Sequence, residues 1–196
     1  METIYQDIAA RTGGNIYIGV VGPVRTGKST LIKRIMEELV IPAMEDPFRA
    51  ERARDELPQC GSGRTSMTAE PKFVPEEAVP IVMEGGASFQ VRLIDCVGYL
   101  VDGAVGQMEG ETQRMVTTPW FDHDIPMAEA AEIGTRKVIT EHATIGIVIT
   151  TDGSITEIPR EDYLDAEERV ITELKELGKP FLVVLNSTDP RSERAE

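Results

Sequence analysis

The segment Gly22-Pro-Val-Arg-Thr-Gly27-Lys28-Ser29 matches the pattern G-x-x-x-x-G-K-[ST], and its flanks are those the pattern requires. Ahead of it runs Ile16-Tyr17-Ile18-Gly19-Val20-Val21, a continuous apolar stretch of strand type. Behind it Leu31, Ile32, Ile35, Met36 and Leu39 recur at helical spacing over Lys28–Val40, until Pro42 ends the helix. A strand, glycine loop and helix in this order wrap backbone around phosphate. The glycines permit the turn, the amide N–H groups and helix N-terminus supply positive dipoles, Lys28 reaches the β- and γ-phosphates, and Ser29 takes Mg2+. Gly22, Arg25, Thr26, Gly27, Lys28, Ser29 and Thr30 are therefore the candidate nucleotide-binding residues of this loop.

The remaining chain keeps alternating helix and strand. Ile4, Tyr5, Ile8 and Ala9 recur at helical spacing before Gly13-Gly14, so residues 1–14 read as a leading helical segment and 15–196 as a nucleotide-binding domain. Residues 43–75 are polar, contain Pro47, Pro58, Pro71 and Pro75, and read as irregular apart from a short helix near Ala50–Leu57. Ala78–Met83 and Ser88–Ile94 read as a hairpin around Glu84-Gly85-Gly86-Ala87. A long loop over Gly98–Asp124 leads to a helix opened by Pro126 and reaching about His142. Thr144–Thr150 is a buried-type strand, Arg160–Leu177 a charged amphipathic helix closed by Gly178, and Phe181–Asn186 another apolar strand.

This order predicts an α/β fold: a mostly parallel sheet with one antiparallel hairpin strand and, given the phosphate loop, the three-layer α/β/α architecture of a P-loop NTPase. The closing stretch Arg191-Ser-Glu-Arg-Ala-Glu196 resembles the beginning of another helix, which predicts that the chain is a fragment of a longer protein.

Charge narrows the partners. With 20 Lys+Arg against 34 Asp+Glu in 196 residues, the net charge of −14 repels polyanions and argues against nucleic acid, so bound phosphate must be held by a shaped site. The apolar runs at Ile145–Ile149 and Phe181–Leu185 are far shorter than the roughly 20 residues that span a bilayer, and the N-terminus lacks a secretory h-region, which predicts a cytoplasmic protein without a transmembrane segment. Cys60 and Cys96 form no framework, and Cys96 reads as a buried free thiol.

Nucleotide cleavage at such a loop needs an acidic group beside the metal and a sensor of the γ-phosphate. Asp95 ends a strand in Asp95-Cys-Val-Gly98, where the carboxylate approaches Mg2+ and the Gly98 N–H meets the γ-phosphate. Thr68, with Thr65 as the alternative, lies in a polar loop able to bring a hydroxyl to the same metal. Asn186-Ser187-Thr188-Asp189 occupies the place of a guanine-binding N-K-x-D, with Asn186 and Asp189 kept and the stacking lysine replaced by Ser187. Tyr99 stands where many GTPases carry a water-orienting glutamine. Arg25 has two readings, a positive charge supplied in cis to the reaction or an exposed loop arginine. His123 and His142 are too poorly accompanied to suggest zinc.

Taken with Met67-Thr-Ala-Glu-Pro-Lys-Phe-Val-Pro75, Leu93-Ile-Asp-Cys-Val-Gly-Tyr99, Thr118-Pro-Trp120, Ala130-Ala-Glu-Ile-Gly-Thr-Arg-Lys137 and Ile149-Thr-Thr-Asp-Gly153, the phosphate loop resembles the N-terminal nucleotide-binding domain of the stage IV sporulation protein A family. The resemblance implies a translation-factor-related (TRAFAC) topology and ATP hydrolysis with Mg2+, with Lys28, Thr68 and Asp95 as catalytic residues and Ser29, Thr68 and Asp95 around the metal. It further implies self-association into the spore coat basement layer on the outer forespore membrane, from the mother-cell cytoplasm. A small amphipathic membrane-anchoring peptide and other coat proteins would be the partners. The base stays open between adenine, which the resemblance favours, and guanine, which Asp189 favours. A translation-type GTPase and a nucleotide-binding scaffold without turnover are the rival functions.

Overall fold

A computed structural model describes residues 13–58, 69–82, 88–102, 104, 108–109 and 112–196. The leading helix expected before residue 13, the hairpin turn, Cys60, Thr65 and Thr68 lie outside the described residues.

The strands β1 (Asn15–Val21), β2 (Lys72–Val82), β3 (Ser88–Asp95), β4 (Ile145–Thr151) and β5 (Phe181–Asn186) form a five-stranded sheet in the order β2-β3-β1-β4-β5. β1 runs parallel to both β3 and β4, β4 parallel to β5, and only β2 is antiparallel, against β3. The expected α/β class with its mostly parallel sheet and single antiparallel strand is thus present.

Adjacent residues on the central strands feed opposite faces, as the period of two demands. Val20, Leu93 and Ile149 pack with Ile32 and Met36 of the helix after the phosphate loop. Their neighbours Val21, Ile94 and Val148 pack with Val138, Ile139, Val170 and Leu174 on the other face. Helices α1 (Lys28–Ile35) and α2 (Pro47–Asp55) therefore cover one side, and α3 (Met127–Lys137) and α4 (Leu164–Glu176) the other. α1 continues as one π-turn over Met36–Val40 and α3 as another over Val138–His142, so both helical segments reach their expected ends in altered geometry. Arg160–Tyr163 is 3-10 rather than the first turn of α4.

One expectation is corrected. The stretch from Lys72, read as irregular on account of its prolines, is the first half of β2, which bulges between Val74 and Val79. β2 is an edge strand, where a proline removes no ladder hydrogen bond that a neighbour needs. β5 has the bounds expected of the apolar run Phe181–Asn186 and forms the opposite edge, with Leu182 65% and Val183 50% exposed. Short antiparallel pairings within the long loop, Met108–Glu109 with Thr112–Gln113 and Met115–Val116 with Ile125–Pro126, carry no sequence signal long enough to read.

α3 lies close to the loops at the carboxyl ends of the strands because its inner face is small: Ala130, Ala131, Gly134 and Thr135 are buried. A methyl group at Gly134 would stand 2.3 Å from the Ala69 carbonyl oxygen and 3.3 Å from the Trp120 ring. Gly134→Ala is expected to lower stability by about 1–3 kcal/mol through this overpacking, measured as a fall in the denaturation midpoint. Among the described residues no helix is long and apolar enough to cross a membrane.

Candidate functional site

β1 is flanked by β3 on one side and β4 on the other, so chain connections diverge at its carboxyl end and leave a crevice there. The loop after β1 fills it. Gly22 has φ 131°, and a Cβ there would meet the Ile149 carbonyl oxygen at 2.3 Å, so only glycine lets the chain leave the sheet at this point. The loop is braced from both neighbours: Val24 N–H donates to Tyr99 O (2.9 Å) and Asn186 Nδ2 donates to Thr26 O (3.0 Å). Inside it, Thr26 Oγ1 donates to Pro23 O at 2.9 Å. Gly27, at φ 96°, caps α1 and turns the N-terminal end of that helix, with its positive dipole, toward the crevice.

Lys28 is only 5% exposed and its Nζ donates to Pro23 O at 2.6 Å. Burial pulls its pKa below the usual lysine value, opposed by the nearby Cys96 and Asp95. Ser29 Oγ donates to Asp95 Oδ2 at 2.7 Å, joining the first turn of α1 to the end of β3. Asp95 Oδ1 is buried and has no hydrogen-bond partner among the described residues. Burial pushes the carboxyl upward against the Ser29 hydrogen bond and the Lys28 charge.

One carboxylate and one hydroxyl side by side, with an unsatisfied oxygen, suit a hard divalent ion such as Mg2+ that draws its other ligands from water and phosphate. Among the described residues no cluster of three or more His, Cys, Asp and Glu side chains offers a cage for a metal held by protein alone.

The sequence-derived candidates thus divide. Gly22, Thr26, Gly27, Lys28, Ser29, Asp95 and Gly98 converge on the crevice, and Asn186 reaches it as a brace. Arg25 is exposed at φ 60°, and Thr30 is exposed on α1. Asp189 is exposed in the turn after β5, where Oδ1 accepts from Arg191 N–H at 3.2 Å.

Tyr99 is 2% exposed, donates its hydroxyl to the Glu173 carboxylate and lies under the Arg169 guanidinium, 4.3 Å from the ring centroid. Burial and the Glu173 contact push the phenol well above its ordinary pKa. Its hydroxyl is thus committed to α4.

Sequence reasoning missed Asp152 and Thr135. Asp152, 2% exposed, accepts from Ser154 N–H, Ser154 Oγ and Ser187 Oγ, the last at 2.6 Å. Ser154 and Ser187 hold its carboxyl down to about 2. Ser187 thereby fixes the turn after β5, and Ser154 Oγ in turn accepts from Thr188 N–H. The run Thr150-Thr-Asp-Gly153 was the available signal, being polar where a strand ends at the crevice.

Thr135, on α3, is fully buried and its Oγ1 accepts from Gly98 N–H at 3.2 Å. Cys96 is buried beside it, and desolvation pushes the thiol up to about 11 despite the Lys28 charge. The neutral thiol is the form this fold holds, so its contribution is complete below pH ~9 and is lost as pH rises toward 11. Iodoacetamide at pH 8 is expected to leave Cys96 unmodified in the folded chain and to label it on unfolding, read by mass spectrometry.

The whole chain, residues 1–196, matches the family model described as "Stage IV sporulation protein A, ATPase domain". It is 60% identical over 187 residues to Stage IV sporulation protein A of Bacillus anthracis, covering 95% of this chain and 38% of that protein. To the protein of the same name in Clostridioides difficile (strain 630) it is 59% identical over 192 residues, 98% of this chain and 39% of the relative. For Bacillus subtilis (strain 168) the figures are 58% over 187 residues, 95% and 38%. The chain spans well under half the length of these curated relatives. The sequence match runs through the phosphate loop, the Asp95–Gly98 segment and α3 alike, and by it the chain belongs to the stage IV sporulation protein A family, over that family's ATPase domain.

Proposed function

We propose that this domain binds Mg-ATP and hydrolyses it slowly, and that in the whole protein the nucleotide cycle drives self-assembly of the spore coat basement layer at the forespore surface. Kinship with translation-factor GTPases of the TRAFAC class is part of this reading, as are a cytoplasmic, mother-cell location and docking to an amphipathic anchoring peptide and other coat proteins. The observation that carries the enzymatic part is the buried, unpartnered Asp95 Oδ1 beside Ser29 Oγ and the Lys28 ammonium, an arrangement that lacks only a cation and phosphate oxygens.

When bound, Mg2+ would be held by Ser29 and Asp95, with Thr68 as the expected third protein contact, and would neutralise charge on the β- and γ-phosphates. Lys28 exchanges Pro23 O for phosphate oxygen and keeps its charge where negative charge accumulates. The backbone N–H groups of Arg25–Thr30 would orient the triphosphate, and the Gly98 N–H would donate to a γ-oxygen. Water adds to the γ-phosphorus as the bond to the β–γ bridging oxygen breaks, and ADP leaves with the electron pair. Tyr99 orients no water, because its hydroxyl is given to Glu173, and this supports slow turnover. Arg25 is exposed in the loop, and its two readings, a charge supplied in cis or a plain loop arginine, are separated by whether Arg25→Ala keeps full turnover.

Adenine is the favoured base because Ser187, in the place of a stacking lysine, turns its hydroxyl to Asp152. Guanine is the second reading, favoured by the exposed Asp189 carboxylate, with Asn186 holding the loop beside it. Competition of ATP and GTP against a fluorescent ADP analogue, in Mg2+, tests this. ATP displacing the probe at lower concentration supports the assembly ATPase; preference for GTP supports the translation-type alternative.

A further inference from the structure

The backbone N–H of Gly98 is the group that the proposed function assigns to the γ-phosphate, and here it is already bonded. Its acceptor is the Oγ1 of Thr135, which lies 37 residues away in sequence and is fully buried on α3. The γ-phosphate cannot take that hydrogen bond without Thr135 losing it. Gly98 itself has little freedom to turn aside. It sits at φ 91°, and a Cβ built on it would stand 2.2 Å from Gly22 O and 2.5 Å from Lys28 Nζ, so its backbone lies against the phosphate loop and the lysine tip.

The residue before Thr135 extends the contact to the second nucleotide loop. Gly134 lies against the Ala69 carbonyl, one residue past Thr68, and against the Trp120 ring. Two successive residues of one helix thus touch both the segment that follows Asp95 and the segment that follows Thr68.

We propose that Thr135 is a positioning residue that holds Gly98 in the form without γ-phosphate, so that α3 registers whether a di- or triphosphate is bound. This rests on the proposed nucleotide site. With ADP the Gly98 N–H stays on Thr135; with a triphosphate it passes to a γ-oxygen and the Thr135 hydroxyl is released. The same turn of α3, through Gly134, transmits that exchange to Ala69.

Removing the acceptor while keeping the shape separates this role from packing. In the Thr135→Val chain the Gly98 N–H loses its oxygen acceptor and keeps only the weaker Cys96 sulfur beside it, unless a γ-phosphate provides an oxygen, so the form without γ-phosphate is selectively disfavoured. The ratio of affinities for a non-hydrolysable ATP analogue over ADP, measured by calorimetry in Mg2+, is expected to rise about five- to tenfold over wild type. Thr135→Ser, which retains the oxygen, is expected to restore the wild-type ratio. Should the valine variant not fold, Thr135→Ala removes the same acceptor without adding bulk and reads the same ratio.

An unchanged ratio in a folded variant lacking the acceptor, or equal losses for both nucleotides, would overturn the proposal and leave Thr135 a packing residue. A wild-type chain that binds neither nucleotide would overturn the proposed nucleotide site and this inference with it. Wild-type binding of both, with no shift in the variants, would overturn this inference alone.

Discussion

Lys28→Ala is expected to abolish measurable ATP turnover, a loss of at least about a hundredfold, by removing the buried ammonium from the site of developing phosphate charge. The ammonium is held by Pro23 O at 2.6 Å inside a loop whose other buried donors are neutral, so none of them replaces its charge. Its burial already lowers its pKa, so in the absence of nucleotide the charge is held against a desolvation cost. Truncation therefore removes a catalytic charge without removing an important contact of the hydrophobic core. Phosphate release should vanish while the thermal midpoint of the nucleotide-free chain stays within a few degrees of wild type. Retained turnover would place the reaction elsewhere.

Asp95→Asn is expected to have a comparable effect by a different route. The amide is nearly isosteric and can still accept from Ser29 Oγ, but it carries no charge for a divalent ion. Turnover should fall by about a hundredfold or more, and the Mg2+ concentration needed for half-maximal nucleotide binding should rise.

Stability should move the other way. Burial raises the Asp95 pKa in the folded chain, so the protonated form is favoured by folding; that contribution is full below the unfolded carboxylate pKa and is lost as pH rises through the folded value. The neutral asparagine escapes the loss. Without Mg2+ and nucleotide, Asp95→Asn is expected to melt above wild type at pH 7, and adding Mg-ATP should narrow or reverse the difference. Calorimetry with and without Mg-ATP reads both halves of this prediction.

The pairing of these two residues explains why so much of the candidate site was legible in the sequence. Gly22–Ser29 is contiguous, and each residue acts through its own backbone or through a neighbour in the loop, so the spacing alone carries the geometry. Asp95 was legible because it ends an apolar strand and is followed by Gly98 at the spacing the γ-phosphate requires. Thr135 and Asp152 were not, because their roles depend on partners 37 and 35 residues away, brought together only by the packing of α3 and by β4 and β5 lying side by side.

The fold divides similarly. The central strands and the helices that cover them followed from apolar periodicity, since each alternates its burial between the two faces. The first half of β2 was hidden by Pro75 and by Glu76-Glu77, which an edge strand tolerates and a central strand would not. β5 was legible as a strand from its apolar run, but its place at the sheet edge, with Leu182 and Val183 exposed, depends on the strand order and not on the run itself. Ser187 was read as a loss, the missing lysine of a guanine site. Its hydroxyl on Asp152 makes it a structural replacement, with the turn after β5 built on that hydrogen bond and on Ser154.

The most direct test of the central claim is steady-state phosphate release by the 196-residue chain from Mg-ATP, with Lys28→Ala as the paired control. Release that saturates with ATP, requires Mg2+ and disappears in the Lys28→Ala chain is the result predicted. Tight ATP binding with no release above the control would contradict hydrolysis by this domain and leave a nucleotide-binding scaffold in its place.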